Sequence, residues 1–141
     1  LLRQGKYLSV PQDQLVDMKT LLVVDDEPQI LTSMSRLLRM RKDNLRVLTA
    51  ANADEGFEQL ALNRVDLVLS DMVMPGMSGF EFLGRVKGLY PDVTRIAMSG
   101  YADADMVAES INRNAISKFL IKPIDINRLS DVVDEACFPH K

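Results

Sequence analysis

The 141-residue chain contains one cysteine, one histidine and no tryptophan. Cys137 alone cannot close an internal disulfide, and Cys137 with His140 cannot complete a zinc site. That usage fits a reducing compartment. Long apolar runs are also missing. The longest are strand-length, well short of a membrane span. Leu1 to Gly5 lack the basic, apolar and small order of a secretion signal. A cytoplasmic protein without membrane contact is expected. Neither sign of charge dominates, since 17 basic and 20 acidic residues leave a net −3. A mildly acidic chain lacks the basic face that nucleic acid demands, so direct nucleic-acid binding is not expected.

Hydrophobic residues make up 47% of the chain, enough for one ordinary core. Residues 1–18 carry Gly5 and Pro11 and no sustained period. They read as an extension or linker, with a short helical stretch expected at 12–18. Regular patterning covers 19–137, and 138–141 form a tail. The chain begins on leucine without methionine and stops soon after its last helical pattern. It is expected to be either a stand-alone unit or one excised from a longer protein.

Within 19–137 one cycle repeats five times. A short apolar run ends on polar residues and a helical pattern follows. Thr20–Val24 is a continuous apolar run, as a strand buried on both faces requires. Asp25-Asp26-Glu27-Pro28 breaks it, and Pro28 suits the first turn of a helix, with an acid before it at the positive helix end. Further strands are expected at 45–49, 65–70, 93–98 and 118–121. Asn52-Ala53-Asp54-Glu55 and Ser78-Gly79-Phe80-Glu81 have the spacing of capping boxes, and Asp125 is placed to cap the last helix. A helix is expected over 103–113. Arg36, Arg39, Arg41 and Lys42 gather at the end of the first helix and read as a solvated, dipole-matched cluster. Strands alternating with helices imply an α/β fold, a parallel sheet covered on both faces.

In such sheets ligands bind beyond the carboxyl ends of the strands. Those ends carry Asp25, Asp26, Asp71, Ser99 and Lys122. Close carboxylates resist joint ionisation unless a cation compensates. Oxygen donors without usable His or Cys favour a hard ion, so Mg²⁺ is the natural candidate. Lys122 supplies a second positive group for an anionic ligand, and Ser99 supplies a hydroxyl. The set fits phosphoryl transfer, which depends on positioning and charge neutralisation. Asp71 is the best nucleophile, because it follows the central apolar strand and precedes a loop of free amides. With His140 in the tail, a phosphohistidine donor is expected to be another protein. Each residue alone has a plainer reading. Asp71 is then a turn former, Lys122 a surface lysine, Ser99 a loop residue and Phe119 a core aromatic.

Together, Leu-Val-Val-Asp-Asp-Glu-Pro (22–28), Asp-Leu-Val-Leu-Ser-Asp-Met-Val-Met-Pro-Gly-Met-Ser-Gly (66–79), Met-Ser-Gly-Tyr (98–101) and Lys-Phe-Leu-Ile-Lys-Pro (118–123) resemble the receiver domains of response regulators. The likeness runs from about Lys19 to Ala136. It implies a doubly wound, flavodoxin-like (CheY-like) three-layer sandwich with strand order 2-1-3-4-5. It implies that Asp71 is phosphorylated by a sensor histidine kinase or a phosphotransfer protein. Asp26, Asp71 and the Val73 carbonyl would hold Mg²⁺ directly, and Asp25 would act through a water. Lys122 would contact the phosphoryl group, and the Lys122–Pro123 bond would be cis. Ser99 and Phe119 would form the switch, altering the face built from the fourth helix, fifth strand and fifth helix. That face would act on an output domain or effector outside this chain, or pair two copies into a homodimer. On this reading the chain is a signalling module and not an enzyme, catalysing only its own phosphorylation and dephosphorylation.

The chain shows departures from the family pattern. Ala115-Ile116 stands where Gly-Ala is frequent. The switch aromatic is Phe119, without a hydroxyl. Val73 and Tyr101 occupy the variable positions flanking the phosphoryl site, and apolar Val73 is expected to position water poorly and slow phosphate loss. The stretch 114–123 is similar to receivers attached to cyclic-dinucleotide enzymes such as HD-GYP proteins. A haloacid-dehalogenase-type phosphatase would need an acid two residues after Asp71, where Val73 stands. A flavodoxin-like cofactor binder would need Ser, Thr and Gly where Asp25-Asp26-Glu27 stands. A degenerate receiver would have lost part of the Asp, Ser and Lys set.

Overall fold

Adjacent residues of each buried run point to opposite faces, and the first strand shows why both faces must be covered. The computed structural model describes residues 18–41 and 44–139, with Tyr101 described by its backbone alone. The helical stretch expected at 12–18 lies outside the described residues except for Met18, which is not helical. Lys42 and His140 also lie outside them.

Among the described residues, five strands, β1 (Lys19–Val24), β2 (Leu45–Ala50), β3 (Leu67–Asp71), β4 (Thr94–Ser99) and β5 (Lys118–Ile121), alternate with five α-helices. The helices are α1 (Pro28–Arg39), α2 (Ala53–Leu62), α3 (Gly79–Leu89), α4 (Ala104–Asn112) and α5 (Ile126–Cys137). A 3₁₀ turn, Tyr101–Asp103, precedes α4 and takes up the first residue of the helix expected from 103. All strand pairs are parallel, in the order β2-β1-β3-β4-β5. This is the doubly wound, flavodoxin-like order that the resemblance implied.

Leu21 and Val23 of β1 join Met34, Leu38, Leu129 and Val133 in a core under α1 and α5. Leu22 and Val24 join Leu60, Phe82, Leu83 and Val86 in a second core under α2 and α3. Phe82 is fully buried and meets the Phe57 ring edge-on at 4.9 Å between centroids.

Helix starts follow local chemistry. The Asn52 side chain accepts the Glu55 amide at 2.9 Å, and the Glu55 carboxylate accepts the Ala51 amide at 3.0 Å. At α3 only half of the expected capping box forms. Ser78 Oγ accepts the Glu81 amide at 3.1 Å, but the Glu81 carboxylate turns outward to Arg85 at 2.7 Å. An i,i+4 cation outcompetes the N-cap amide for it. Asp125 caps α5 by accepting the Asn127 amide at 2.8 Å.

In the basic cluster at the end of α1, Arg36 and Arg39 are exposed, as expected, while Arg41 is partly buried. Arg39 donates to the Val47 carbonyl at 3.2 Å, and Arg41 reaches Ser130 and the Asp134 carboxylate on α5. At the end of α4 the left-handed residue is Asn114, with φ 57°. Asparagine tolerates that conformation, so the absence of glycine at Ala115 costs the turn little.

Candidate functional site

Strand order decides which ends meet. From β1 the chain crosses to β2 on one side and then to β3 on the other, so β1 and β3 flank the switch in direction. Val24 lies in register with Ser70, which sets Asp25 beside Asp71. Asp25 is fully buried and the Asp71 side chain is only 10% exposed, whereas Asp26 is exposed. Asp25, Asp26 and Asp71 each present a carboxylate oxygen, and these oxygens all lie within 4.8 Å of one another. Among the described residues they form the one such acidic group.

Lys122 enters from the far side. Its amide donates to the Ser99 carbonyl at 2.8 Å, fixing the end of β5 to the end of β4. The ammonium then reaches back across the sheet, 3.0 Å from Asp25 Oδ2 and 3.2 Å from Asp71 Oδ2. A third carboxylate, Glu27 Oε1, lies 3.3 Å from the same nitrogen. The Lys122–Pro123 peptide bond is cis.

The charges perturb one another. Burial pushes the Asp71 carboxyl above its ordinary value, Lys122 pulls it back, and Asp25 adds to the rise. Burial alone would lower the Lys122 ammonium. The hydrogen bond to Asp25 and the Asp71 and Asp25 charges outweigh it and hold the group above the usual lysine range.

The loop after Asp71 is held close. The Val73 amide faces Asp71 Oδ1 at 3.5 Å, and the Gly79 amide donates to the Met72 carbonyl at 3.0 Å. A β-carbon at Gly79 would lie 1.6 Å from the Asp71 carbonyl oxygen. No side chain fits there, so Gly79 lets the start of α3 abut the strand end that carries Asp71. Gly79 and Glu27 are the site residues that the sequence reading missed. Gly79 looked like the second residue of a helix cap, and Glu27 like an acid facing a helix dipole.

Ser99 is 2% exposed at the end of β4. Phe119, by contrast, is 37% exposed and lies away from the acidic cluster. It lines a groove of about 600 Å³ with Ile111, Ile121, Asp125 and Arg128, on the α4–β5–α5 face. Val73 is 54% exposed beside the site. The Tyr101 side chain lies outside what the structure describes.

The donor set fits a hard divalent ion. It is all oxygen, its excess negative charge is only partly offset by Lys122, and two of its three carboxylates are buried. No described helix is long and apolar enough to cross a membrane.

Known proteins and solved structures match most of the described chain. The response regulator receiver domain family matches residues 21–134. The hydrogenase transcriptional regulatory protein HoxA of Cupriavidus necator is 38% identical over 117 residues, covering 83% of this chain and 24% of that protein. Sporulation initiation phosphotransferase F of Bacillus subtilis is 34% identical over 113 residues, covering 80% of this chain and 89% of that protein. The crystal structure of the signal receiver domain of an HD domain-containing protein from Pseudomonas fluorescens Pf-5 superposes with a TM-score of 0.79. It is 32% identical and covers 84% of this chain and 94% of that one. The chain thus spans about a quarter of HoxA, but most of the phosphotransferase and of the signal receiver domain.

Proposed function

The chain belongs to the response regulator receiver domain family, and from that premise we propose that it takes a phosphoryl group from a partner's phosphohistidine onto Asp71. The observation that carries this reading is the meeting of Asp25, Asp26 and Asp71 with Lys122 at one strand-end crevice. An Asp71 carboxylate oxygen attacks phosphorus. The phosphorus–nitrogen bond of the donor breaks, its electron pair returns to the imidazole nitrogen, and an acyl phosphate stands on Asp71. Lys122 neutralises a phosphoryl oxygen, and Ser99 donates to another. Hydrolysis restores Asp71, so the chain turns over no substrate but its own phosphoform.

Asp26, Asp71 and the Val73 carbonyl would hold Mg²⁺ directly, and Asp25 would act through a water. When bound, the ion supplies positive charge against the phosphoryl oxygens. The switch runs from Ser99 to Phe119 and alters the α4–β5–α5 groove, where an output domain, an effector or a second copy docks. The receiver unit is taken as 19–137, with an extension at 1–18 and a tail at 138–141, working in the cytoplasm beside a sensor kinase or phosphotransfer protein. An output outside the chain is supported by two relatives, one named a transcriptional regulatory protein and one a receiver of an HD domain-containing protein.

The test is covalent labelling. With phosphoramidate and Mg²⁺, intact mass should rise by one phosphoryl group in the wild type and not in Asp71→Asn. Equal labelling of both would remove Asp71 from the role.

A further inference from the structure

Lys122 has three N–H donors and faces three carboxylates, Asp25, Asp71 and Glu27. An ammonium so engaged must release one partner before it can bind a phosphoryl oxygen. The three are not equal. The Asp25 side chain is fully buried, and its second oxygen is held by the Glu27 amide at 2.9 Å. Leaving Asp25 would strand a buried charge. Asp71 is the reacting group and is 10% exposed. Glu27 is 55% exposed, so water can replace the ammonium there at little cost. Glu27 is also free of the task that its position suggests. It is the N-cap residue of α1, yet its side chain makes no capping hydrogen bond.

We propose that Glu27 is a positioning residue that holds the Lys122 ammonium at rest and is the partner exchanged for the incoming phosphoryl oxygen. Its backbone orients Asp25 toward Lys122, while its carboxylate competes with the phosphoryl group for the same nitrogen. Glu27 therefore restrains phosphorylation, acting through Lys122. This rests on Asp71 being the phosphoryl acceptor.

The experiment measures labelling rates of the whole chain with Mg²⁺ and two donors, phosphoramidate and the more highly charged acetyl phosphate. Glu27→Gln keeps the backbone contact and removes the competing charge. It should label about three- to fivefold faster with both donors, as the loss of an exposed ion pair allows. Glu27→Asp should fall back toward the wild-type rate. In a Lys122→Ala background, Glu27→Gln should change nothing, because the two residues act as one unit. An unchanged or slower rate in Glu27→Gln overturns the proposal. So does an acceleration seen only with acetyl phosphate, or one of equal size without Lys122, because either would reflect repulsion of the donor by bulk charge. A wild type that does not label on Asp71 overturns the acceptor reading first, and this inference with it.

Discussion

Lys122 Nζ lies 3.2 Å from Asp71 Oδ2, although β4 separates their two strands. The Lys122 backbone is fixed to Ser99, and its side chain places a cation over two buried carboxylates, Asp25 and Asp71. Removing the ammonium leaves their repulsion unopposed. Lys122→Ala should destabilise the protein by roughly 1–3 kcal/mol, less than a fully buried pair because the lysine is partly exposed. The sign follows from its raised pKa. The stabilisation is complete below the unfolded value of 10.5 and is lost as pH rises through the higher folded value. Urea unfolding should show the full difference at pH 7 and a shrinking one in strong alkali. A variant as stable as wild type at pH 7 would refute this account.

Asp71 runs the other way. Burial raises its pKa, and Lys122 only partly corrects it. A carboxyl raised in the folded state stabilises below its unfolded value of 3.8, and that contribution is lost as pH rises through the folded value. At neutral pH and without divalent ions, ionised Asp71 therefore costs stability. Asp71→Asn should melt above wild type at pH 7. The gap should close near pH 3.5. Mg²⁺ should raise the wild-type melting temperature more than the variant's. A variant that melts below wild type at pH 7 would show that Asp71 is stabilising as an anion.

Much of this was legible in the sequence for a physical reason. Strands buried on both faces must be continuous apolar runs, so the polar residue ending each run marks a strand end, and parallel topology gathers those ends. Asp25, Asp71, Ser99 and Lys122 are visible on that logic. Glu27 and Gly79 are not, because their roles depend on approach through space. Nothing in Glu27-Pro28 says that a lysine 95 positions away will reach the carboxylate. Asn114 escaped notice because the frequent glycine of related chains lies one residue later, while the left-handed turn needs only a residue that tolerates positive φ. Strand boundaries moved by a residue or two, and Asp71 itself became the last residue of β3.

Gly79 gives a sharp test of how tightly the acceptor is framed. A methyl group there would overlap the Asp71 carbonyl, a backbone atom that cannot rotate away. Gly79→Ala must push α3 from the end of β3 and disturb the loop through Val73. Phosphoramidate labelling should fall at least about tenfold, as a misplacement near 1 Å does in oriented reactions. Far-UV circular dichroism should keep its α/β form. Wild-type labelling by this variant would mean that the strand end tolerates displacement.

Val73 tests the lifetime of the phosphoform. It is half-exposed beside Asp71, and its apolar side chain can neither orient a water nor accept its proton. The phosphorylated chain should lose phosphate slowly, over minutes or longer. Val73→Asn places an amide that can hold a water near the acyl phosphate, and hydrolysis should quicken by about threefold or more. The readout is the decay of the phosphoform by intact mass after the donor is removed, with Mg²⁺ present. Labelling rate serves as the control, since a residue that acts on the attacking water alone leaves phosphorylation unchanged. Decay within seconds in the wild type, or equal decay in both proteins, would show that the side chain at this position does not set the lifetime.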